Sequence, residues 1–520
     1  MTLATLDLVV FATYAIGLLI IAQIVSRQPA DTTKNASDYF LASRALPWWA
    51  IGASLIAANI SAEQIIGMSG SAWEMGIAIG VYEWTAAIAL IIVGKFLLPV
   101  FLQRKIYTMP QFLEQRFDHR VRNVMAVFWI VVYVFVNLTS ILWLGALAVQ
   151  TVAGLDLTLG MIGLGAFALA YSLYGGLRAV AMTDIIQVVL LIVGGLFIVA
   201  IALDQVSGNQ GAIAGFTTLL DRVPEKFDLI FTKDSPYYAL LPGISVLIGG
   251  MWVMHFSYWG FNQYIIQRAL AAKSPAEAQK GILFAAFLKM LTPIIVVLPG
   301  VAAIVLAPEL SRPDQAYPTM MNLLPAGLLG LVFAALIGAI ISSLASMLNS
   351  ISTIFTMDLY RHSIGGNASE TQLVTIGRVV SVSAMAIAMV VAKPLLGQFT
   401  QAFQFIQDFT GFFTPGVCAL FGLGIFWSRT TANGALAMAL GSFAFSLAFY
   451  LLWPELPFID RVGLVFVMCV TVGVIVSLMG TPESSDDHSQ TPVDTSTSAI
   501  FNFGSLAVLG MLIALYATWW

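Results

Sequence analysis

Fourteen apolar segments, each close to the length an α-helix needs to cross a bilayer, follow one another through this chain. They fall near 4–26, 47–70, 76–102, 124–152, 157–176, 182–203, 240–267, 280–307, 324–357, 374–395, 400–427, 432–453, 461–480 and 500–519. Inside a bilayer every backbone N–H and C=O must find its partner within the chain, and a helix does that segment by segment. Composition agrees, with 59% hydrophobic and only 10% charged residues among 520. The expectation is an all-α integral membrane protein of about fourteen transmembrane helices, with the lipid bilayer as its surroundings. A net charge of −4 offers no basic surface to nucleic acid. Cys418 and Cys469 both sit in apolar segments, which supports neither a disulfide framework nor a Cys-rich metal centre.

Orientation follows from the loops. The first apolar run has no Lys or Arg before Arg27, so it reads as an uncleaved first span. With the N-terminus outside, the inner loops hold fifteen Lys and Arg, Arg268 among them, and the outer loops six. An even number of spans places both termini outside the plasma (inner) membrane of a bacterium. The stretch 204–239 reads as a long outer loop, and 308–325 as a shorter outer segment able to act as a lid. The polar, Ser- and Thr-rich stretch 481–498 reads as an inner linker. No extramembrane run is long enough for a kinase, nucleotide-binding or hydrolase domain, which argues against a sensor and a primary pump, and four His and two Cys give no clustered catalytic or metal set for an enzyme.

The polar residues inside these segments carry the functional argument. Residues 54–83 run SLIAANISAEQIIGMSGSAWEMGIAIGVYE, with Asn59, Ser61, Glu63, Gln64, Glu74 and Glu83 in an apolar setting. An ionisable residue at membrane depth costs about 2.5–3.5 kcal/mol on insertion scales, and such residues line a path or a site. Asn59, Ile60, Ser61 and Ala62 interrupt the run with side chains able to replace helical hydrogen bonds. A transporter uses such a break to aim bare carbonyls at an ion. Five spans later, 240–267 carries Gly249-Gly250 and then a polar, aromatic half that includes His255 and Tyr258. Paired discontinuous helices five apart mark an inverted five-helix repeat.

Lys289, Glu83, Gln64 and Gln407 come from four segments. Lys289 needs a partner or a water-filled cavity, and Glu83 is the natural one. A neutralised pair keeps hydrogen-bonding capacity for a neutral polyol; the alternative is an ion pair that only joins helices. Tyr258 and Trp259 offer an aromatic face to a sugar ring, or pack as core. Ser342 and Ser343 place adjacent hydroxyls in a long apolar helix, the oxygen donors that a hard cation prefers. Asp184 either caps the span that it opens or attracts an ion leaving toward the cytoplasm. Asp358 and Arg361 read as an interfacial pair. The sequon at Asn137 lies within a span and is discounted.

The runs SLIAANISAEQ, IGMSGS, YTMPQFLEQRF, VNLTS, YSLYGGLRAV, YWGFNQYIIQR, SSLASMLNS and AFQFIQDFTG, in this order along nearly the whole chain, resemble the sodium:solute symporter family, and within it the sodium/glucose cotransporter group. The resemblance implies an amino-acid-transporter-like inverted-repeat core with discontinuous first and sixth core helices, and sodium-coupled alternating access. It divides the chain into an extra helix and loop (1–46), two repeats (47–239 and 240–430) and extra helices (431–520). It implies a sodium site from the carbonyls of Ala57, Ile60 and Ala339 and the hydroxyls of Ser342 and Ser343, with Asp184 on the inner sodium path. The sugar site would comprise Asn59, Gln64, Glu83, His255, Lys289 and Gln407, with Tyr258 beneath the sugar as inner gate. Met68, Tyr82 and Phe403 would form the outer gate. Two positions depart from the sugar carriers it resembles, with Ala86 for a Ser and His255 for an Asn, so galactose and glucose both stay open. The partners implied are a hexose and Na+ as coupling ion, with no organic cofactor. Other cargoes on the same scaffold are a sialic acid, a nucleoside or proline, and a passive channel is the rival of a different class.

Overall fold

The computed structural model describes residues 3–26, 46–104, 106, 108–174, 177–363, 368–399, 401–481 and 493–520. Most of the linker 481–498 and of the inner loop before Leu46 lies outside them. Every regular element among the described residues is a helix, and an isolated bridge joins Leu46 to Ala272. In chain order the long elements are α1 (Thr5–Ser26), α2 (Trp48–Asn59), α3 (Ser69–Met75), α4 (Val81–Ile92), α5 (His119–Val132) and α6 (Thr139–Ala153). They continue as α7 (Leu157–Tyr174), α8 (Leu177–Val206), α9 (Gly250–Phe261), α10 (Gln263–Leu270), α11 (Pro275–Leu306) and α12 (Leu328–Thr353). The last are α13 (Glu370–Leu396), α14 (Ala402–Thr410), α15 (Thr414–Phe426), α16 (Ala432–Leu452), α17 (Phe458–Met479) and α18 (Ala499–Thr518).

Among the described residues, nine helices are long and apolar enough to cross a membrane, or ten if the bent pair α14 and α15 forms one span. Each of the fourteen apolar segments holds a described helix, but interruptions lower the count of uninterrupted spans. The segment 47–70 is cut after Asn59, and 240–267 is cut at Gly249 and Asn262. Segments 4–26 and 157–176 offer only the shorter apolar runs Thr5–Leu18 and Leu157–Ser172. The second half of 47–70 runs on into 76–102 as one helical stretch, Glu63–Gln103. It turns at Gly76, whose φ of +80° suits glycine, and a Cβ there would sit 2.1 Å from the Lys226 carbonyl. The stretch 204–239 holds a helix, Ala212–Arg222, and a short 3-10 turn, Pro224–Phe227, and the latter packs over the turn at Gly76.

α2 is the centre of the bundle and packs on α8, α10, α11 and α12. Gly52 lets it approach α11, since a Cβ there would meet the Gly281 carbonyl at 2.6 Å. The extra helix α1 is tied to the core at the N-terminus of α12. Asp7 Oδ1 accepts the amide N–H groups of Gly327 and Gly330 at 2.7 and 2.8 Å, where bare amides and the helix dipole favour an anion. Among the described residues, four π-helical turns interrupt the core helices: Glu63–Met68, Val93–Leu97, Tyr133–Leu138 and Ile354–Tyr360. Such turns gather at functional sites.

Candidate ion and solute site

The break after α2 frees a carbonyl. In a continuous helix the Ser61 amide would donate to the Ala57 carbonyl; here it turns to Asn59, 2.8 Å away. Ile60, at φ −74° and ψ 79°, carries the chain out of the helix. α12, which packs on α2, carries Ala339, Ser342 and Ser343, all buried. Ser343 Oγ has no hydrogen-bond partner. Ser342 Oγ donates its one hydrogen to Asp184 Oδ1 at 2.6 Å, which leaves both of its lone pairs unspent. Orphaned oxygens of this type, without a carboxylate among the direct donors, fit a hard monovalent cation.

Asp184 lies inside α8, not at its N-terminus, so the capping alternative fails. It is fully buried and receives a second hydroxyl, Ser54 Oγ, at 3.0 Å on Oδ2. Arg268 stands 3.6 Å from the same oxygen and is itself fully buried. Its Nε donates to Ser54 Oγ at 2.9 Å, one Nη to Ser346 Oγ at 3.2 Å, and the other Nη to the Tyr264 carbonyl. Arg268 therefore does not belong to an inner loop, as the charge count had it. Its stem is held inside by α10, which follows the break at Asn262. Arg122 is buried too and pairs with Glu114 at 2.5 Å.

A second polar cluster joins α2, α4 and α11. Lys289 Nζ bonds both Glu83 Oε2 and Asn59 Oδ1, and sits 5.1 Å from the centre of the Trp259 ring. Asn59 Nδ2 donates to the Tyr258 hydroxyl at 3.1 Å, and the Tyr258 and Tyr264 hydroxyls meet at 2.6 Å. Across the bundle Tyr133 donates to Asn262 Oδ1 at 2.6 Å. An Asn thus stands at the breaks after α2 and after α9, and each is held by a tyrosine. The sequence had placed the second break at Gly249-Gly250, where a short first turn does end. Gly250 itself serves close packing, since a Cβ there would lie 2.0 Å from the Ile459 carbonyl.

His255 is buried on α9 and its Nε2 lies 2.7 Å from Thr85 Oγ1. Thr85 already gives its only hydrogen to the Val81 carbonyl, at 2.5 Å, so it accepts from the imidazole. The hydrogen therefore sits on Nε2. In the neutral ring that leaves Nδ1 as a bare acceptor. An amide in this position would offer a donor as well.

Gln64, Tyr258 and Gln407 line a cavity of about 90 Å³ with Glu63, Tyr133, Asn137 and Asn262. The sugar residues expected from sequence so divide: Gln64 and Gln407 on this cavity, Glu83 and Lys289 in the packed cluster, joined to the cavity through Asn59 and Tyr258, and His255 on Thr85 of α4. Glu63 is a residue that sequence reasoning noted but gave no role; it accepts from Ser140 in the wall of the cavity. Met68, Tyr82 and Phe403, expected as the outer gate, are all buried, with the Tyr82 and Phe403 rings edge to face at 5.2 Å. Nearby, the Asp314 carboxylate takes the Ala402 amide at 3.3 Å at the start of α14. Burial pushes its pKa up to about 7; the Ala402 N–H and the Arg312 charge oppose this, and Glu74 adds to it. Asp358 is buried with Oδ2 unpartnered and Arg361 is exposed; among the described residues no ion pair joins them, because the π turn aims Asp358 inward.

Two broken helices that pack together inside a helical bundle, with unspent buried oxygens and a polar cavity, define a secondary membrane transporter. The chain belongs to the sodium:solute symporter family, whose model matches residues 39–441. It is 47% identical to a sodium/glucose cotransporter of Vibrio parahaemolyticus, over 100% of this chain and 99% of that protein. It is 34% identical to sodium/myo-inositol cotransporter 2 of Mus musculus, over 79% of this chain and 64% of the relative. The fold is that of a sodium-coupled sialic acid symporter, with a TM-score of 0.78 at 24% identity, covering 92% of this chain and 99% of that one. A nucleobase-cation-symport-1 family transporter shares it more distantly, with a TM-score of 0.54 at 14% identity and 88% and 99% coverage.

Proposed function

We propose that this chain imports a neutral hexose, glucose or galactose, driven by sodium. The observation that carries the reading is the orphaned Ser343 Oγ and the unspent Ser342 lone pairs on α12, a helix that packs on α2, where the Ala57 carbonyl has lost its donor. Sodium is cargo here. Carbonyls of Ala57, Ile60 and Ala339 and the two hydroxyls hold it, and Asp184 turns the Ser342 hydrogen away from it. Binding draws α2 onto α12 and so fixes the broken end that carries Asn59. Asn59 in turn holds Lys289 and Tyr258, which links ion binding to the sugar cluster.

A neutral cargo fits because the Lys289 charge is already met by Glu83; a carboxylated solute would have to displace it. The sugar takes Gln64, Glu83, Lys289, Gln407 and His255, with Tyr258 below and Met68, Tyr82 and Phe403 closing above. The two halves, 47–239 and 240–430, rock about this point, and both termini lie outside the inner membrane.

Uptake of labelled glucose and galactose into proteoliposomes, with an inward sodium gradient and then with potassium in its place, tests the reading. Saturable uptake with sodium only is expected, with Ser343→Ala raising the sodium requirement and Gln64→Ala weakening sugar uptake. Folded protein that moves neither hexose under a sodium gradient sinks the cargo assignment. Uptake that is unaltered in both variants sinks the site.

A further inference from the structure

A groove of about 580 Å³ runs between α5, α15 and α16. Its wall is apolar, with Val127, Val131, Val417, Leu440 and Phe443 among its residues. Val127, Leu440 and Phe443 are 51%, 61% and 44% exposed, so the groove opens on the surface of the bundle. In a membrane protein such an apolar surface meets hydrocarbon. Aromatic rings stiffen its floor, with Phe128 and Phe413 at 4.7 Å and Phe413 stacked on Phe443 at 5.5 Å.

One end of the groove is charged. On α5, Asn123, Val127 and Val131 line it at helical spacing, and Arg120 lies on the same face a turn earlier. The Arg120 side chain is 51% exposed, and Asp118 takes its Nε and one Nη from one side. Arg116 brings the turn between α15 and α16 to this same end, donating to the carbonyls of Gly424, Trp427 and Ser428 at 2.7, 3.2 and 3.1 Å. That turn carries Arg429. Its Nη2 reaches the Leu478 carbonyl at 3.4 Å, and among the described residues it joins no ion pair.

Length and charge together select the occupant. From Asn123 to Val131 the helix rises about 12 Å, at 1.5 Å per residue. The hydrocarbon of one leaflet is about 15 Å deep, half of a core of about 30 Å. The groove thus takes most of one acyl chain, with its charged end at headgroup level. Two guanidiniums there favour a headgroup of net negative charge, whereas a zwitterionic one brings its own cation against them. We propose that this groove binds an anionic phospholipid, with an acyl chain between α5, α15 and α16 and the phosphate at Arg120 and Arg429.

The lipid would bear on the solute cavity from outside. Phe128 and Val417 line both the groove and the cavity that holds Gln64 and Gln407, so a chain in the groove braces their shared wall. This consequence, unlike the binding itself, rests on the transport reading above.

The test is photolabelling of the purified full chain in phosphatidylethanolamine liposomes, read by peptide mass spectrometry. The tracer is phosphatidylglycerol or phosphatidylethanolamine with a diazirine on one acyl chain. Every outward helix face meets bulk lipid, so the readout is the ratio of the two labels at groove residues against the same ratio on α18. A groove ratio about tenfold higher, in favour of phosphatidylglycerol, is expected. Arg120→Gln combined with Arg429→Gln should bring it down to the α18 value. Ala439→Phe, which sets a ring into the groove wall, should lower both labels there. Circular dichroism and size-exclusion profiles check that each variant is folded, and the two variants stand in for one another if one fails. Equal ratios at the groove and α18 overturn the proposal, as does a high groove ratio that persists in either folded variant. The readout needs no transport, so it stands apart from failure of the hexose assignment. A rise in sodium-driven uptake on adding phosphatidylglycerol, absent in the double arginine variant, would then report the brace on the cavity.

Discussion

Glu83–Lys289 and Asp184–Arg268 are both buried ion pairs, yet they are furnished differently. Around Asp184 each carboxylate oxygen takes a serine hydroxyl, and the guanidinium is engaged by Ser54, Ser346 and the Tyr264 carbonyl. Little capacity is left for a ligand. The Lys289 ammonium has three donors and gives two of them, to Glu83 and Asn59, with an aromatic face close by. The saturated pair acts as a frame that orients Ser342. The unsaturated pair can still bond a passing hydroxyl. Burial alone does not separate a frame from a site; the count of unspent donors and acceptors does.

The largest expected effect comes from breaking the unsaturated pair. Lys289→Ala leaves Glu83 buried and alone, which costs about 3–5 kcal/mol, so both thermal stability and saturable uptake should fall. Glu83→Gln with Lys289→Met should recover the melting temperature and not the uptake. Recovery of uptake as well would make this pair a frame too, and the contrast would collapse.

Next is the saturated pair. Asp184→Asn keeps an acceptor for Ser342 but strands the Arg268 charge. Half-saturating sodium should rise about tenfold, equivalent to about 1.4 kcal/mol, while the sugar KM at saturating sodium stays put. A change in sugar KM with sodium dependence untouched would reverse the roles assigned to the two regions.

Smaller effects sharpen the sugar side. His255→Asn replaces a bare acceptor by a group that also donates, and Thr85→Val releases the ring from its fixed tautomer. Both should change the glucose-to-galactose uptake ratio several-fold, a difference of about 1 kcal/mol, without altering sodium dependence. An unchanged ratio in both variants removes His255 from the sugar site.

The smallest concerns the outer edge. Asp314 holds its proton up to about pH 7 when packed against α14, against an ordinary value of 3.8. The packed state binds more protons than an opened one, so its stabilisation is present at acid pH and is lost as pH rises from about 4 to about 7. Hydrogen exchange in Ala402–Thr410, corrected for intrinsic base catalysis, should be faster at pH 8 than at pH 6. Asp314→Asn should flatten that difference.

The unsaturated pair was legible in the sequence because a lone Lys in an apolar run demands a partner and Glu83 is similarly isolated. The break at Asn59 was legible for the same reason, as polar residues cut an apolar run. Arg268 was not. It follows a polar, aromatic stretch near a span end, where an arginine ordinarily meets water, and only the fold carries it back to Asp184. Thr85 carried no signal either, since a threonine mid-helix ordinarily bonds its own backbone, and this one does that as well. The Asp358 reading failed because the spacing to Arg361 suits an α-helix, and the chain there is a π turn.

The distance along the chain between Glu83 and Lys289 has a consequence for how the protein is made. They are 206 residues apart. At a translation rate of about 5–20 residues per second, Glu83 enters the membrane roughly 10–40 s before its partner exists. During that interval the carboxyl must take up a proton or stay beside the insertion machinery, since an unpaired charge in lipid is unfavourable. Synthesis order alone thus makes the first half a dependent fragment, to be completed by a helix that has yet to be translated.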